Sequence, residues 1–292
     1  MCFKDDLVFQ LIALGIIGYI YTVVEFIIII PWFGSDTLMG RFHLLLLNSL
    51  AVALLYSYFA ASFTDPGRPP AHYNPMEGMG EEEMKRNKLK HYCKKCDAYK
   101  PPRTHHCSMC NRCVLKMDHH CPWVNNCVGH NNHKNFMLFL FYVVVAIAYA
   151  FAMTCWRLTA FFPLESADEY LSPGAAVIVA VALFLMVLVE LGVGFLFAFQ
   201  LNLATKNMTT IESWEFEDAA RRARRRGKKV RHTYDLGLAA NLRFFFGSRM
   251  ALWLCPCGAE TDGLSYRTYD GEAQGFAAVA DWSARARGTD RV

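Results

Sequence analysis

Apolar and polar residues are separated into long blocks along this chain of 292 residues. Four blocks are almost entirely apolar, at about 7–31, 41–63, 136–162 and 175–201. An α-helix rises about 1.5 Å per residue, so a block of about 20 such residues crosses the hydrocarbon core of a bilayer. The pattern therefore predicts an all-α polytopic membrane protein with four transmembrane helices.

The polar segments between these blocks divide the chain further. Transmembrane helices 1 and 2, joined by a short loop, occupy residues 1–67, and helices 3 and 4 occupy 136–204. A linker at 68–90 contains prolines, glycines and three consecutive glutamates, and we expect at most a short helix in it, at 81–90. A small cysteine-rich domain follows at 91–135, in the loop between helices 2 and 3, and a C-terminal tail occupies 205–292.

The distribution of basic residues predicts the orientation of the helices. Loops 32–40 and 163–174 contain no Lys or Arg, whereas the loop 64–135 contains twelve, and the tail carries a basic run at 221–229. The positive-inside rule places both termini and the long loop in the cytosol and the two short loops in the lumen. We expect an endoplasmic reticulum or Golgi membrane and no nucleic-acid partner. The basic run should lie on a helix that faces either solvent or the lipid headgroups of the bilayer.

Seven of the eleven cysteines lie between residues 93 and 127. In the reducing cytosol such a cluster indicates metal binding or catalysis rather than disulfides. The repeated Cys-x-x-Cys spacing is typical of tetrahedral zinc sites. Two closed sites need eight ligands, which seven cysteines and one histidine would supply, or six cysteines and two histidines. The second combination leaves one cysteine free.

The motif Asp118-His119-His120-Cys121 suggests which cysteine is left over. In an extended segment neighbouring side chains point to opposite sides, so His120 can face a metal while His119 faces away from it. His119 could then act as the base toward the thiol of Cys121, with Asp118 fixing the tautomer of its ring. This is the nucleophile, base and orienter arrangement of covalent catalysis.

The whole segment Cys93–Phe136 resembles the cysteine-rich domain of the DHHC protein S-acyltransferases, or palmitoyltransferases. The motif is followed by Pro-Trp and by Asn-Cys-x-Gly inside the zinc frame, which makes the resemblance specific. It implies that Cys121 carries an acyl-enzyme formed from palmitoyl-CoA and passes the acyl group to cysteines of membrane-associated proteins. It also implies two structural zinc ions, one bound by Cys93, Cys96, His106 and Cys113 and the other by Cys107, Cys110, His120 and Cys127.

Two motifs in the tail also resemble this family. Thr209, Thr210 and Glu212 match a Thr-Thr-x-Glu motif, which on its own is only a helix-start signature. The resemblance implies that Thr210 hydrogen-bonds near Asp118 and docks the tail on the active site. It further implies that Asn241, within a C-terminal aromatic motif, satisfies backbone groups around a buried turn.

Contacts to the acyl-CoA are the least specific expectation. Trp123 would pack against the thioester end of the acyl chain, and Arg103 and Lys134 are candidate partners for the phosphates of CoA. We expect the acyl chain of the substrate to lie in a cavity between the helices, below the catalytic cysteine and beside Ala146 and Ala150. Small residues leave room for such a pocket, although they are also typical of helix–helix contacts.

An alternative function from a different class is a membrane-anchored, RING-like zinc module that recruits protein partners for ubiquitin transfer. Such a module uses a similar interleaved metal arrangement. It has no need for a free thiol beside an Asp-His pair, and this difference favours the acyltransferase.

Two charged residues inside the predicted helices suggest an ion pair. Glu25 and Arg157 lie at the same depth, roughly 8–9 Å below the lumenal surface at about 1.5 Å per residue. Charges within a membrane are costly and usually paired, so we expect a Glu25–Arg157 bridge. The alternative is that Arg157 reaches acidic residues in the loop at 163–174.

Overall fold

Four helices that are long and apolar enough to cross a membrane form the bulk of the protein. The computed structural model describes residues 6–74, 91–161 and 171–269. The first span consists of α1 (Asp6–Val23), a π-helical turn (Val24–Ile29) and α2 (Ile30–Phe33). The other three spans are α3 (Leu38–Phe63), α4 (His133–Phe161) and α5 (Pro173–Thr205). The prediction of an all-α membrane protein with four spanning helices is confirmed.

Local sequence signals explain where these helices begin. Thr37 caps α3, because its hydroxyl accepts a hydrogen bond from the amide of Gly40 at 2.9 Å. Ser172 caps α5 in the same way through the amide of Ala175, and Pro173 occupies the first helical position, where its missing N–H costs nothing. The fourth helix therefore starts two residues before the apolar block that predicted it.

The first span departs from regular α-helix near its end. The amide of Ile30 donates to the carbonyl of Glu25, which is a π-helical spacing. Pro31 follows directly and has no N–H to donate to the preceding turn, so the regular α-helical register cannot continue through it. This turn places Glu25 in the bundle with one carboxylate oxygen buried and without a hydrogen-bond partner among the described residues.

The expected Glu25–Arg157 ion pair is not among the ion pairs of the described residues. Instead the guanidinium of Arg157 lies over the ring of Trp32, 5.5 Å from its centroid. The indole face, two turns beyond Glu25, attracts the cation. The alternative prediction was that Arg157 reaches acidic residues in the loop at 163–174. Those acidic residues lie outside the described residues, as do the linker residues 75–90.

Helix α4 is the central helix of the bundle. It packs between α3 and α5 and also contacts the π-helical turn. In its most apolar stretch of 18 residues, 50% of the residues are buried inside the protein. The corresponding share is 28% in each of the first two spans and 17% in α5. Near its beginning, the ring of Phe139 meets the ring of Tyr58 of α3, with the two centroids 5.1 Å apart. Because α4 starts directly after the cysteine-rich domain, this packing anchors the domain to one end of the bundle.

The cysteine-rich domain consists of three short antiparallel hairpins. They are β1–β2 (Tyr92–Cys93 and Ala98–Tyr99), β3–β4 (His105–Cys107 and Arg112–Val114) and β5–β6 (His119–Cys121 and Asn126–Val128). Their turns contain Asp97, Asn111 and Asn125 in the left-handed conformation, with φ of 51°, 47° and 48°. Asn and Asp tolerate this conformation better than most residues. The prediction of a cysteine-rich cluster between helices 2 and 3 is confirmed.

The described part of the tail contains two helices, α6 (Thr210–Arg224) and α7 (Leu238–Phe246), and a 3₁₀ turn at Met250–Leu252. The side chain of Asn241 is fully buried at the start of α7. Its amide nitrogen donates to the carbonyl of Thr205 at 2.8 Å, and its oxygen accepts from the amide of Leu236 at 3.0 Å. The tail is thereby attached to the end of α5, next to the cysteine-rich domain.

Candidate active site and metal centres

Two groups of four side chains each converge within the cysteine-rich domain. In each group the four ligand atoms lie within 4.8 Å of one another. The groups are Cys93, Cys96, His106 and Cys113, and Cys107, Cys110, His120 and Cys127. The register of the hairpins explains the convergence, because His106 lies directly opposite Cys113 and His120 directly opposite Cys127. Directly opposed residues project to the same face of an antiparallel pair.

The distances within both groups fit tetrahedral metal coordination. Nδ1 of His106 lies 3.2 Å from Sγ of Cys96, and Nδ1 of His120 lies 3.4 Å from Sγ of Cys110. Zinc binds sulfur at about 2.3 Å and nitrogen at about 2.0 Å, which places neighbouring ligand atoms about 3.5–3.8 Å apart. Three cysteines and one histidine also form a donor set typical of structural zinc. Both clusters can therefore hold a metal ion, and neither leaves an open ligand position.

Cys121 belongs to neither cluster, although it lies beside His120 on β5. The alternation of side chains along the strand turns His120 to one face and leaves His119 and Cys121 on the other. The thiol is buried in the apolar core at the end of the helix bundle and is in contact with the ring of His119. Nδ1 of that ring lies 2.7 Å from Oδ2 of Asp118. The structure thus brings a thiol, an imidazole and a carboxylate together in one row.

The pKa values of His119 and Asp118 are shifted far from their ordinary values. Burial disfavours the charged ring of His119, but its hydrogen bonds to Asp118 and Cys121 raise its pKa to about 10. Burial alone would raise the pKa of Asp118, but the neighbouring His133 and His119 and the amide of Thr210 hold it well below its ordinary value. An ionised carboxylate therefore supports an imidazole that is basic enough to take a thiol proton.

Asp118 is held by the tail and by a transmembrane helix. The amide of Thr210 donates to Oδ1 at 2.8 Å and its hydroxyl donates to Oδ2 at 2.9 Å. Gln200 of α5 donates to Oδ2 at 2.9 Å and is itself 2% exposed. Gln200 was not among the site residues predicted from the sequence. Its signal there was that of a polar residue near the end of an otherwise apolar span.

Arg103 occupies a different position from the expected one. Its guanidinium is buried and donates two hydrogen bonds to the carboxylate of Glu212, at 2.6 and 2.7 Å, and two more to Asn207. The rings of Tyr234 and Tyr266 enclose it, at 4.4 and 4.9 Å from the guanidinium carbon. With all these donors engaged and the side chain 1% exposed, Arg103 is not available to the phosphates of CoA.

This ion pair continues into the start of α6. Glu212 also accepts the amide of Thr209 at 2.9 Å, while the hydroxyl of Thr209 accepts the amide of Glu212 at 3.2 Å. This reciprocal capping box fixes the first turn of the helix. Because Arg103 belongs to the cysteine-rich domain, the pair holds α6 on that domain and presents Thr210 to the carboxylate of Asp118.

The other two residues expected at the acyl-CoA also have specific surroundings. Lys134 is buried, and its ammonium donates to the carbonyl of Leu252 at 2.9 Å and to Sγ of Cys257 at 3.0 Å. It is thus engaged by the tail, as Arg103 is. Trp123 is 46% exposed and meets the ring of Phe9 edge to face at 5.4 Å. Of the three, the indole alone is accessible.

An apolar cavity lies inside the bundle below the cysteine-rich domain. The first three spans contribute most of its lining, which includes Ile20, Tyr21, Leu54, Val143, Ala146 and Ala150. Ala146 and Ala150 thus face this space, and several lining residues belong to the same continuous apolar core as Cys121. The hydroxyl of Tyr21 donates to Oδ1 of Asn48 at 2.9 Å, which fixes the ring at the cavity wall.

Comparisons with known proteins agree with this geometry. A family model described as DHHC palmitoyltransferase matches residues 86–217. The chain is 36% identical over 264 residues to probable protein S-acyltransferase 16 of Arabidopsis thaliana. This alignment covers 88% of this chain and 91% of the relative. It is 38% identical over 255 residues to probable protein S-acyltransferase 15 of the same plant, covering 85% and 97%. It is also 37% identical to palmitoyltransferase PFA4 of Mycosarcoma maydis, in an alignment that covers 89% of this chain and 60% of the relative. This protein belongs to the DHHC palmitoyltransferase family.

Proposed function

We propose that this protein is a protein S-acyltransferase that moves a long-chain acyl group, mainly palmitoyl, from acyl-CoA to cysteine thiols of target proteins. The observation that carries the proposal is the environment of Cys121. The thiol lies outside both metal clusters and next to His119, whose ring is 2.7 Å from the carboxylate of Asp118. Among the described cysteines outside the two metal clusters, it is the one placed beside an imidazole–carboxylate pair.

The first half-reaction forms the acyl-enzyme. His119 takes the thiol proton through Nε2 while Asp118, fixed at Nδ1, stabilises the imidazolium. The thiolate of Cys121 attacks the thioester carbonyl of acyl-CoA, and a new carbon–sulfur bond forms as the bond to CoA breaks. The departing CoA thiolate accepts the proton from His119, so the ring ends neutral and the acyl group is attached to Cys121.

The second half-reaction uses the same residues in the same order. A cysteine thiol of the target protein loses its proton to His119, and its thiolate attacks the acyl-enzyme. The bond from the acyl carbon to Cys121 breaks, and the proton returns from His119 to the released thiolate. The target then carries the thioester, and the enzyme is regenerated.

The two metal clusters have a structural role in this proposal. Zinc bound there would supply cross-links among the three hairpins and contribute binding free energy to the folding of a domain with a small apolar core. The eight protein ligands close both sites. The chemistry of acyl transfer therefore belongs to the side chains of Asp118, His119 and Cys121.

The position of Cys121 suits a lipid substrate. The thiol sits where the cysteine-rich domain meets the apolar core, and the cavity beside Ala146 and Ala150 continues that core into the bundle. A chain of about sixteen to eighteen carbons needs about 20 Å of a hydrocarbon core of about 30 Å. The acyl chain enters the bundle while the CoA group stays in water. The basic residues of the loops support a cytosolic location for this end of the bundle, where membrane-associated substrates present their cysteines. The proposed membrane is that of the endoplasmic reticulum or the Golgi.

The RING-like alternative has no comparable support. It requires metal clusters and a partner surface, but it gives no role to the buried row from Asp118 to Cys121. The relatives reported above are named for acyl transfer.

The decisive experiment is incubation of the purified protein with labelled palmitoyl-CoA. Wild-type protein should acquire label that hydroxylamine removes, as expected of a thioester. Cys121→Ser should acquire no hydroxylamine-sensitive label and should keep two zinc ions per chain. Label that persists in the variant, or the loss of one zinc ion, would show that Cys121 is not the nucleophile.

A further inference from the structure

The beginning of α1 touches the segment that carries Cys121. Oδ2 of Asp6 lies 2.9 Å from Nε2 of His120, and the two side chains are only 6% and 10% exposed. One turn later, Gln10 donates to the carbonyl of Val124 at 3.2 Å and accepts from the side chain of Asn125 at 3.3 Å. The first two turns of α1 therefore hold the catalytic segment on both sides of the nucleophile.

The contact with Asp6 has a defined chemical consequence for His120. Nδ1 of this ring lies 3.4 Å from Sγ of Cys110 and 3.6 Å from Sγ of Cys127, so Nδ1 is the nitrogen that faces the metal centre. A metal-binding nitrogen carries no proton, and the proton therefore resides on Nε2, which donates it to Asp6. A carboxylate in this position fixes the tautomer and orientation of the ring and makes its ligand nitrogen more basic.

The two metal centres differ in this respect. The first centre presents the same ligand set, three cysteines and His106. Nε2 of His106 is buried and has no hydrogen-bond partner among the described residues. Within the part of the chain that the structure describes, the first centre thus has no carboxylate of the kind that the second one has, and it provides an internal comparison within the same molecule.

We infer that Asp6 is a positioning residue of the second metal centre and acts through His120. It orients the ligand nitrogen toward the metal and at the same time attaches the first transmembrane helix to β5. Because His120 lies between His119 and Cys121 on this strand, the same contact fixes the direction in which the catalytic side chains project. Retention of the metal at this centre does not depend on the proposed acyl transfer.

The test is the rate at which a chromogenic chelator removes zinc from the purified full-length holoprotein, without acyl-CoA. Asp6→Ala should accelerate the release of one of the two ions by about 10- to 100-fold, because removing such an outer partner weakens metal affinity by about that factor. The other ion should leave at the wild-type rate, because the first centre has no contact with Asp6. Asp6→Asn keeps an acceptor oxygen but not its charge, so it should give a smaller acceleration of the same ion.

Two matched controls separate this role from general loosening of the helix. Gln10→Ala removes the neighbouring contact of α1, and Asp36→Asn makes the same chemical change at an exposed acid far from the metal centres. Both should release zinc as the wild type does. Unchanged release of both ions in Asp6→Ala and Asp6→Asn would overturn the inference, as would equal acceleration in Gln10→Ala. Repeating the measurement in the Cys121→Ser background should give the same rates, so failure of the proposed catalysis would leave this result intact.

Discussion

The buried pair of Arg103 and Glu212 offers the sharpest test of how the tail is held on the catalytic domain. Replacing Arg103 by Met removes two hydrogen bonds to Glu212 and two to Asn207. The side chain of Glu212 is only 9% exposed, so its carboxylate would be left nearly buried without its main cation. Breaking a buried ion pair from one side costs about 3–5 kcal/mol. The docking equilibrium of α6 on the cysteine-rich domain should therefore weaken by about a hundredfold or more.

Two measurements follow from this cost. The thermal midpoint of the detergent-purified protein should fall in Arg103→Met, and the rate of acyl-enzyme formation should fall because Thr210 no longer holds Asp118 in place. The double variant Arg103→Met with Glu212→Leu should recover part of the stability. A buried pair replaced by apolar side chains of similar volume is often tolerated, since no charge is left without its partner.

The same experiment decides between docking and a direct contact with CoA. If Arg103 bound the phosphates, Arg103→Met would raise the KM for palmitoyl-CoA and leave the thermal midpoint unchanged. That outcome, or a double variant that is less stable than Arg103→Met alone, would refute the docking role. Lys95→Met, at an exposed cation on the same domain, is the matched control and should leave the thermal midpoint unchanged.

Three further sets of variants test the rest of the site. His120→Ala should release one zinc ion and destabilise the domain, whereas His119→Ala should keep both ions and slow acyl-enzyme formation; equal metal loss in the two, measured by elemental analysis, would contradict their opposite orientations. Gln200→Leu removes a hydrogen bond to the catalytic carboxylate, worth about 1.5–3 kcal/mol for a charged partner, and should slow acyl-enzyme formation by about tenfold or more without loss of zinc; an unchanged rate would show that the remaining donors suffice. Phe at Ala146 or Ala150 should fill the cavity and shift the preference toward shorter acyl-CoA chains, and an identical chain-length profile in both variants would place the acyl chain elsewhere.

Local patterns determined a large part of this protein. The four apolar blocks specify the four spanning helices, because a bilayer demands a continuous apolar run of defined length. The alternation of a short strand separates His120 from His119 and Cys121, and the tight Cys-x-x-Cys turns place neighbouring sulfurs together. The capping box at Thr209 and Glu212 is likewise readable from four consecutive positions. Each of these features depends on residues close together in the chain.

The tertiary structure decided the contacts between distant segments. Asp6 and His120 are separated by 114 positions, Arg103 and Glu212 by 109, and Gln200 and Asp118 by 82. A basic residue in a zinc domain can face solvent or be buried against a carboxylate, and its neighbours in the chain do not distinguish the two cases.

The two charged residues inside the membrane, Glu25 and Arg157, are a second case in which the sequence did not determine the contacts. Helix arithmetic predicted equal depths for Glu25 and Arg157, but the guanidinium of Arg157 meets Trp32, two turns beyond Glu25. The rotation of each helix about its axis depends on packing. The π-helical turn before Pro31 shifts that rotation within the first span, and the ring of Trp32 receives the guanidinium. Sequence periodicity thus determined which segments cross the membrane and which side chains share a strand face. Only the packed bundle decided which of these side chains meet, because side-chain contacts depend on helix rotation and on the docking of the tail.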